Sequence, residues 1–221
     1  MTQDLRIDRQ SVSLRTLAAD RIRDAIVTGT FEPGTRLSER ELCEMLDVSR
    51  ALLRECLRQL ESEGLVEIPP HKGPRVPILT AEDARDLYGA RRALECFVAR
   101  EAATHASAQD KKTIRAAYSQ LERASRRRSV SDVLDAALAL DRALMAAAGN
   151  SVVSQLLEQL LARISWLRRL SLSEANRRDV FLTEVQAVCE AVLIGDADNA
   201  EHLTEQHIRN AEAAALRAID G

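Results

Sequence analysis

Ser38–Gly73, SERELCEMLDVSRALLRECLRQLESEGLVEIPPHKG, reads as two short helices, a sharp turn between them and a β-hairpin. Ser38 with Glu41 three residues on forms a capping box, and Leu42, Met45 and Leu46 give the first helix an apolar face. Asp47-Val48 turns the chain, and Ser49 caps the second helix. At about 100° per residue, Leu53, Cys56, Leu57 and Leu60 fall on one stripe of that helix and Arg50, Arg54 and Arg58 on another, roughly 110° away. The first stripe anchors the helix. The second, continued by Ala51, Glu55 and Gln59, faces outward with three guanidiniums in a row. Such a face suits the major groove of DNA, where guanidiniums pair with guanine edges or clamp phosphates and the helix N-terminus adds a partial positive charge. An ordinary solvated face can carry the same stripe, so the spacing alone leaves both readings open.

The order of the surrounding parts favours the first. Glu63-Gly64 stops the helix, Leu65-Val66-Glu67-Ile68 reads as a strand, Pro69-Pro70-His71-Lys72-Gly73 as a basic turn, and Arg75-Val76 as a second strand. A hairpin directly after a helix-turn-helix makes a winged helix. The run FEPGTRLSERELCEMLDVSRALLRECLRQLESEGLV (31–66), followed by PPHKGPRV (69–76), closely resembles the N-terminal domain of the GntR family of bacterial repressors. The family pattern is PG-x-R-L-x-E-x-x-L, then G-V-S-R-x-x-V-R-E-A-L-x-x-L-x-x-E-G-L-V. The resemblance implies a transcriptional regulator, expected to be a repressor, that grips a double-stranded, pseudo-palindromic operator as a homodimer. It gives Arg36 and Arg40 a role in holding the DNA backbone and puts Ser49, Arg50, Ala51, Arg54 and Arg58 on the recognition helix, with Ala51 placed for a thymine methyl. His71, Lys72, Gly73 and Arg75 would form the wing contact. Ala51-Leu52 stands where relatives commonly have Thr-Pro.

Composition sets limits. The chain has 221 residues, 46% hydrophobic, enough for two modest domains. Aromatic residues at 3% are too few for a base-stacking platform, which argues against single-stranded nucleic acid. The net charge of −3 does not announce DNA binding, and residues 1–79 hold 12 Lys/Arg against 13 Asp/Glu, so attraction to DNA must come from segregation of charge onto one face. Cys43, Cys56, Cys96 and Cys189 lack C-x-x-C spacing and read as free thiols on apolar helix faces. Without a signal peptide or an 18-residue apolar run, a cytoplasmic protein with no membrane partner is expected. No Gly-rich phosphate loop, nucleophile motif or catalytic metal set argues for an enzyme.

In chain order, residues 1–12 read as a loose tail. Residues 13–29 form a helix with Leu14, Leu17, Ala18, Ile22, Ala25 and Ile26 on one face, and 13–79 make up the winged helix-turn-helix domain. From Thr80 to the end at 221, 3.6-residue periodicity predicts an all-α domain: a helix of about 25 residues capped by Thr80 and Asp83, then helices near 108–127, 131–148, 150–170, 174–194 and 197–219, a six-helix antiparallel bundle. LYGARRALECFVAREAA (87–103), LDRALMAAAGN (140–150) and AVLIGDADNAEHLTEQHI (191–208) resemble the FCD effector domain of the FadR subfamily, in its six-helix, VanR-type branch. That implies dimerisation and a small-molecule effector, such as an organic acid, in the bundle. In many such domains an Asp and three His hold a divalent metal. The matching positions here are Ala137, Asp141, Val185 and His207, so no metal is expected, and Arg91, Asp141 and His207 are the candidate effector residues. Glu184 and His202 lie about 100° and 140° from the positions they would have to replace. Arg92 or Arg163 could assist Arg91. Arg91 could equally pair with Glu95, Asp141 be solvated, and His207 be a core histidine. A metal-dependent FCD regulator and a ligand-independent DNA binder are the alternatives.

Overall fold

Side-chain oxygens start most of the helices. Ser38, Ser49, Thr80, Ser107, Ser129 and Asn150 each accept the backbone N–H three residues on, satisfying a donor that the first helical turn leaves unpaired. In this computed structural model, which describes residues 9–127, 129–174 and 176–220, nine helices result. They fall into two compact units, Met1–Ile78 and Leu79–Gly221.

The first unit holds α1 (Arg9–Thr28), α2 (Glu39–Leu46) and α3 (Arg50–Ser62). Residues 1–8 of the expected tail lie outside the described residues, and from Arg9 the chain is already helical, four residues before the expected start. Ala18, Ala19, Ile22 and Ile26 of α1 and Leu53, Leu57 and Leu60 of α3 are buried where the two helices pack together, while Leu14 and Leu17, expected on the same face of α1, stay exposed. The apolar period continues past the point where α1 has a partner within its unit. Met45, expected on the apolar face of α2, is likewise exposed, and Leu42 alone of that trio is fully buried. Arg23 ties α1 to the end of α3 through Glu63, with Nε and Nη2 donating at 2.8 and 2.7 Å.

The predicted β-hairpin is reduced to two bridges. Arg75 exchanges both backbone hydrogen bonds with Glu67, and it is bridged on its other side to Arg36 by Leu37 N–H to Pro74 O and Val76 N–H to Thr35 O. Pro69, Pro70, Pro74 and Pro77 surround these pairs and have no N–H to donate, so the ladder cannot lengthen into strands. The wing is a proline-stiffened loop pinned at its base.

The second unit is all helix: α4 (Ala81–His105), α5 (Ala108–Arg126), α6 (Val130–Ala148), α7 (Ser151–Ser171), α8 (Arg177–Ile194) and α9 (Ala197–Asp220). These bounds follow the periodicity and caps closely. Both arms of the Thr80–Asp83 capping box form. Helix α4 packs against α9, α6 and α8, with Val98, Ala99 and Ala102 in the main core beside Leu140, Leu161 and Val192. Alanine is frequent at these contacts and lets the helices approach closely around what remains open between them.

Candidate DNA face and effector cavity

Helix α3 divides as its sequence dictates. Leu53, Cys56, Leu57 and Leu60 are at most 1% exposed, whereas Arg50, Ala51, Arg54 and Arg58 stand in solvent. Ser49 fixes the start of this face, its hydroxyl accepting from Leu52 N–H at 3.3 Å, and Asp47 makes the preceding turn in the left-handed conformation. Several of the expected DNA cations are held by carboxylates. Arg40 donates to Glu44 at 3.0 Å, Arg54 to Glu39 at 3.1–3.2 Å, and Arg75 to Glu67. Among the described residues, no carboxylate pairs with Arg50 or Arg58 in this way.

The wing tip needs two left-handed residues. Gly73 has φ +75°, which favours glycine, and His71 adopts φ +63° without that freedom. His71 and Lys72 are exposed, with Lys72 N–H closing the turn onto Pro69 O at 3.2 Å. A Cβ at Gly73 would lie 3.8 Å from Arg36 Nη2, so the Arg36 side chain runs along the wing. Glu39, Arg54, Leu57, Arg58, Ile68 and Pro74 line one shallow cleft, which brings the face of α3 beside the base of the wing.

A cavity of about 60 Å3 lies within the bundle. Its wall is apolar over most of its extent, including Leu121, Leu140, Leu144, Met145, Leu157 and Val188, and polar at one end through Glu95, Asp141, Arg168 and His207. Of the residues expected there, Asp141 and His207 are present. Arg91, expected with them, does not line the cavity but reaches it through Glu95, donating from Nε at 2.8 Å, with its guanidinium 5.1 Å from the centre of the Tyr88 ring. Arg92 and Arg163 are not in the wall either.

The cation in the wall is Arg168. It is 5% exposed, and Nη2 donates to both Asp141 oxygens at 2.9 and 3.2 Å, while Nε and Nη1 find no partner among the described residues. One sequence signal marked it: Arg168 continues the buried series Leu157, Leu161, Ile164 at spacings of four, three and four. Glu184, expected to point away from the Val185 position, is absent from the wall. Its carboxylate reaches back to His207 Nδ1 at 2.7 Å and accepts from Arg177 at 2.9 Å and Asn210 at 2.7 Å. A glutamate side chain is long enough to span the helical-wheel angle that separates it from Val185.

Charge and burial set the protonation states. Burial drives the His207 imidazole below its ordinary value against the opposing pull of Glu184. Because the carboxylate accepts, the ring proton sits on Nδ1, leaving Nε2 as the unprotonated nitrogen. Burial raises Asp141, with Arg168 pulling the other way. Burial also acts to raise Glu95, but the charge and hydrogen bonds of Arg91 outweigh it and hold Glu95 low. The Cys189 thiol in the wall is pushed up to about 12 by burial, which leaves it inert as a nucleophile.

These residues do not fit the divalent metal of the resemblance. Ala137 and Val185 have no lone pair to offer, the Asp141 carboxylate is taken by Arg168, and His207 Nδ1 is taken by Glu184. His202 is exposed and sits against Gln206. Among the described residues, no three His, Cys, Asp or Glu side chains converge as a metal site.

Comparison with known proteins agrees with both units. Residues 14–76 match the model of the bacterial regulatory proteins of the gntR family, and residues 86–210 match the FCD domain. The HTH-type transcriptional repressor RspR of Escherichia coli K12 is 27% identical over 188 residues, covering 85% of this chain and 82% of the relative. The Uxu operon transcriptional regulator of the same organism is 28% identical over 215 residues, covering 88% and 84%. Among solved structures, a GntR transcriptional regulator from Rhodococcus sp. RHA1 superposes with a TM-score of 0.78 at 28% identity over 93% of this chain and 98% of that one. Escherichia coli McbR/YncC shares the fold, with a TM-score of 0.80 at 17% identity over 92% and 97%. Among the described residues, no helix is long and apolar enough to cross a membrane. The chain belongs to the GntR family of DNA-binding transcriptional regulators, not to an enzyme family, and its helical half is an FCD domain.

Proposed function

We propose that this regulator is a cytoplasmic repressor that binds a pseudo-palindromic operator as a homodimer and responds to a small organic anion held, without a metal, in its FCD bundle. The observation that carries the DNA half is the division of α3, with four buried side chains anchoring it and Arg50, Ala51, Arg54 and Arg58 turned to solvent. One recognition helix reads only a few base pairs, so useful specificity needs two half-sites related by a two-fold axis, with the bundle supplying the dimer contact. Arg36, Arg40 and the wing residues His71, Lys72 and Arg75 grip the backbone around each half-site.

Arg168 supports the effector half. A buried guanidinium with two unpartnered nitrogens, Nε and Nη1, calls for an anion, and the apolar remainder of the wall calls for an aliphatic or aromatic body on that anion. At about 60 Å3 the cavity is far smaller than the roughly 300 Å3 at which ligand pockets begin, so the effector enters as the helices part. A ligand that binds only the parted bundle shifts the protein toward that state, and this is how occupancy reaches the DNA.

The test is a selection of full-length protein against duplexes with a randomised core. Enrichment of an inverted repeat, and its loss on addition of short-chain monocarboxylates, is expected. No enrichment overturns the DNA reading, and indifference to every carboxylate in the panel overturns the effector reading.

A further inference from the structure

The Arg54–Glu39 pair differs from the other surface pairs on this face. Arg40 pairs with Glu44 four residues along its own helix, an arrangement that any solvated helix offers. Arg54 instead reaches from α3 to the first residue of α2, fifteen positions back in the chain. Its Nε lies 3.2 and 3.1 Å from the two Glu39 oxygens, and its Nη2 lies 3.1 Å from Oε2. The Glu39 side chain is 31% exposed, in the cleft between α3 and the wing base, while the Arg54 side chain is 61% exposed. The carboxylate therefore covers one edge of the guanidinium, Nε with Nη2, and leaves the end-on edge, Nη1 with Nη2, open to solvent.

An arginine reads guanine with two N–H groups from neighbouring nitrogens placed on O6 and N7. A free arginine must freeze several rotatable bonds to do so, and a side chain already held by a second residue loses less. We infer that Glu39 is a positioning residue for base recognition: it clamps the Nε edge of Arg54 so that the open edge is presented to a guanine in the major groove. Its role follows from geometry and not from stability, because an exposed pair of this kind contributes little to folding. Arg50 and Arg58, which lack such a partner among the described residues, remain free to follow phosphates. The inference rests on the reading that α3 lies in the major groove.

The experiment is a selection with full-length wild type, Arg54→Ala and Glu39→Gln against duplexes carrying a randomised 20-base-pair core, with the bound pools sequenced and each melting temperature measured. Arg54→Ala is expected to flatten the preference at one base pair of each half-site by about fivefold or more. Glu39→Gln is expected to flatten the same base pair and no other, with an unchanged melting temperature. On a scrambled duplex Glu39→Gln should bind as well as wild type or more tightly, since a carboxylate facing phosphates has been removed. If Glu39→Gln keeps that preference, or weakens all positions alike, the positioning role is overturned while the groove reading stands. If Arg54→Ala itself leaves every preference intact, the groove reading fails and the inference falls with it.

Discussion

Two arginine–carboxylate pairs, one in each half of the molecule, have nearly the same bond lengths and opposite consequences. Arg54 with Glu39 sits on the DNA face, where the two side chains are 61% and 31% exposed, and Arg168 with Asp141 sits in the bundle at 6% and 23%. In solvent the pair contributes at most about 1 kcal/mol to folding, so what it supplies on that face is position, with Glu39 holding one edge of Arg54 while the other stays open. In the bundle neither charge tolerates losing the other, because desolvation has already been imposed on both. The same chemistry thus positions a side chain on one unit and compensates a buried charge on the other, and of the two only the buried pair leaves N–H groups shut off from solvent without a partner among the described residues.

The contrast is broken most decisively at the buried pair. Arg168→Ala should strand Asp141 in the bundle and lower unfolding free energy by about 3 kcal/mol in a urea titration, with operator contacts untouched in the fraction that stays folded. An unaltered midpoint would mean that the Asp141 end of the cavity is wetter than its burial implies. Next in size, Arg50→Ala should cost on the order of 1–3 kcal/mol in operator affinity while leaving the unfolding curve superimposable on wild type. Equal affinity would remove Arg50 from the interface. Smaller again, Lys72→Ala should weaken binding to selected and random duplexes alike and reduce the slope of log K against log salt by about one ion. An unchanged slope would lift the wing tip off the duplex. The shallowest effect concerns pH. Burial holds His207 below its ordinary value of 6.5, so the unfolded chain takes up a proton first as pH falls through 6.5. His207 therefore contributes stability above that pH and loses it as pH falls toward the lower folded value. His207→Gln should flatten this slope of the melting temperature against pH, and a slope that survives the substitution must belong to another group.

Most of the architecture was legible because local rules and tertiary packing agree in this chain. Caps read at Ser38, Ser49 and Thr80 mark helix starts that packing then preserves. Where the two part, the reading failed. The Leu14 and Leu17 positions obey the apolar period of α1 but have nothing in their unit to cover them. The wing has strand-like residues, but its prolines remove the donors that a ladder needs. The cavity was legible only in outline. The FCD resemblance pointed to Asp141 and His207, but which arginine enters the wall depends on how the helices rotate against one another, and that puts Arg168 there while Arg91 stands behind Glu95. Helical-wheel angles fix where a side chain leaves the backbone, and Glu184 shows how far its tip can travel from there.

The central claim is that the exposed arginine face of α3 reads base edges in the major groove. The most direct measurement is an anisotropy titration of the full-length protein on its selected duplex, with 7-deazaguanine replacing one guanine in each half-site so that only the N7 acceptor is lost. A roughly tenfold or greater weakening for wild type, and none beyond its own deficit for Arg54→Ala, is predicted. Wild-type binding that is indifferent to the loss of N7 at every guanine of the half-site would contradict it.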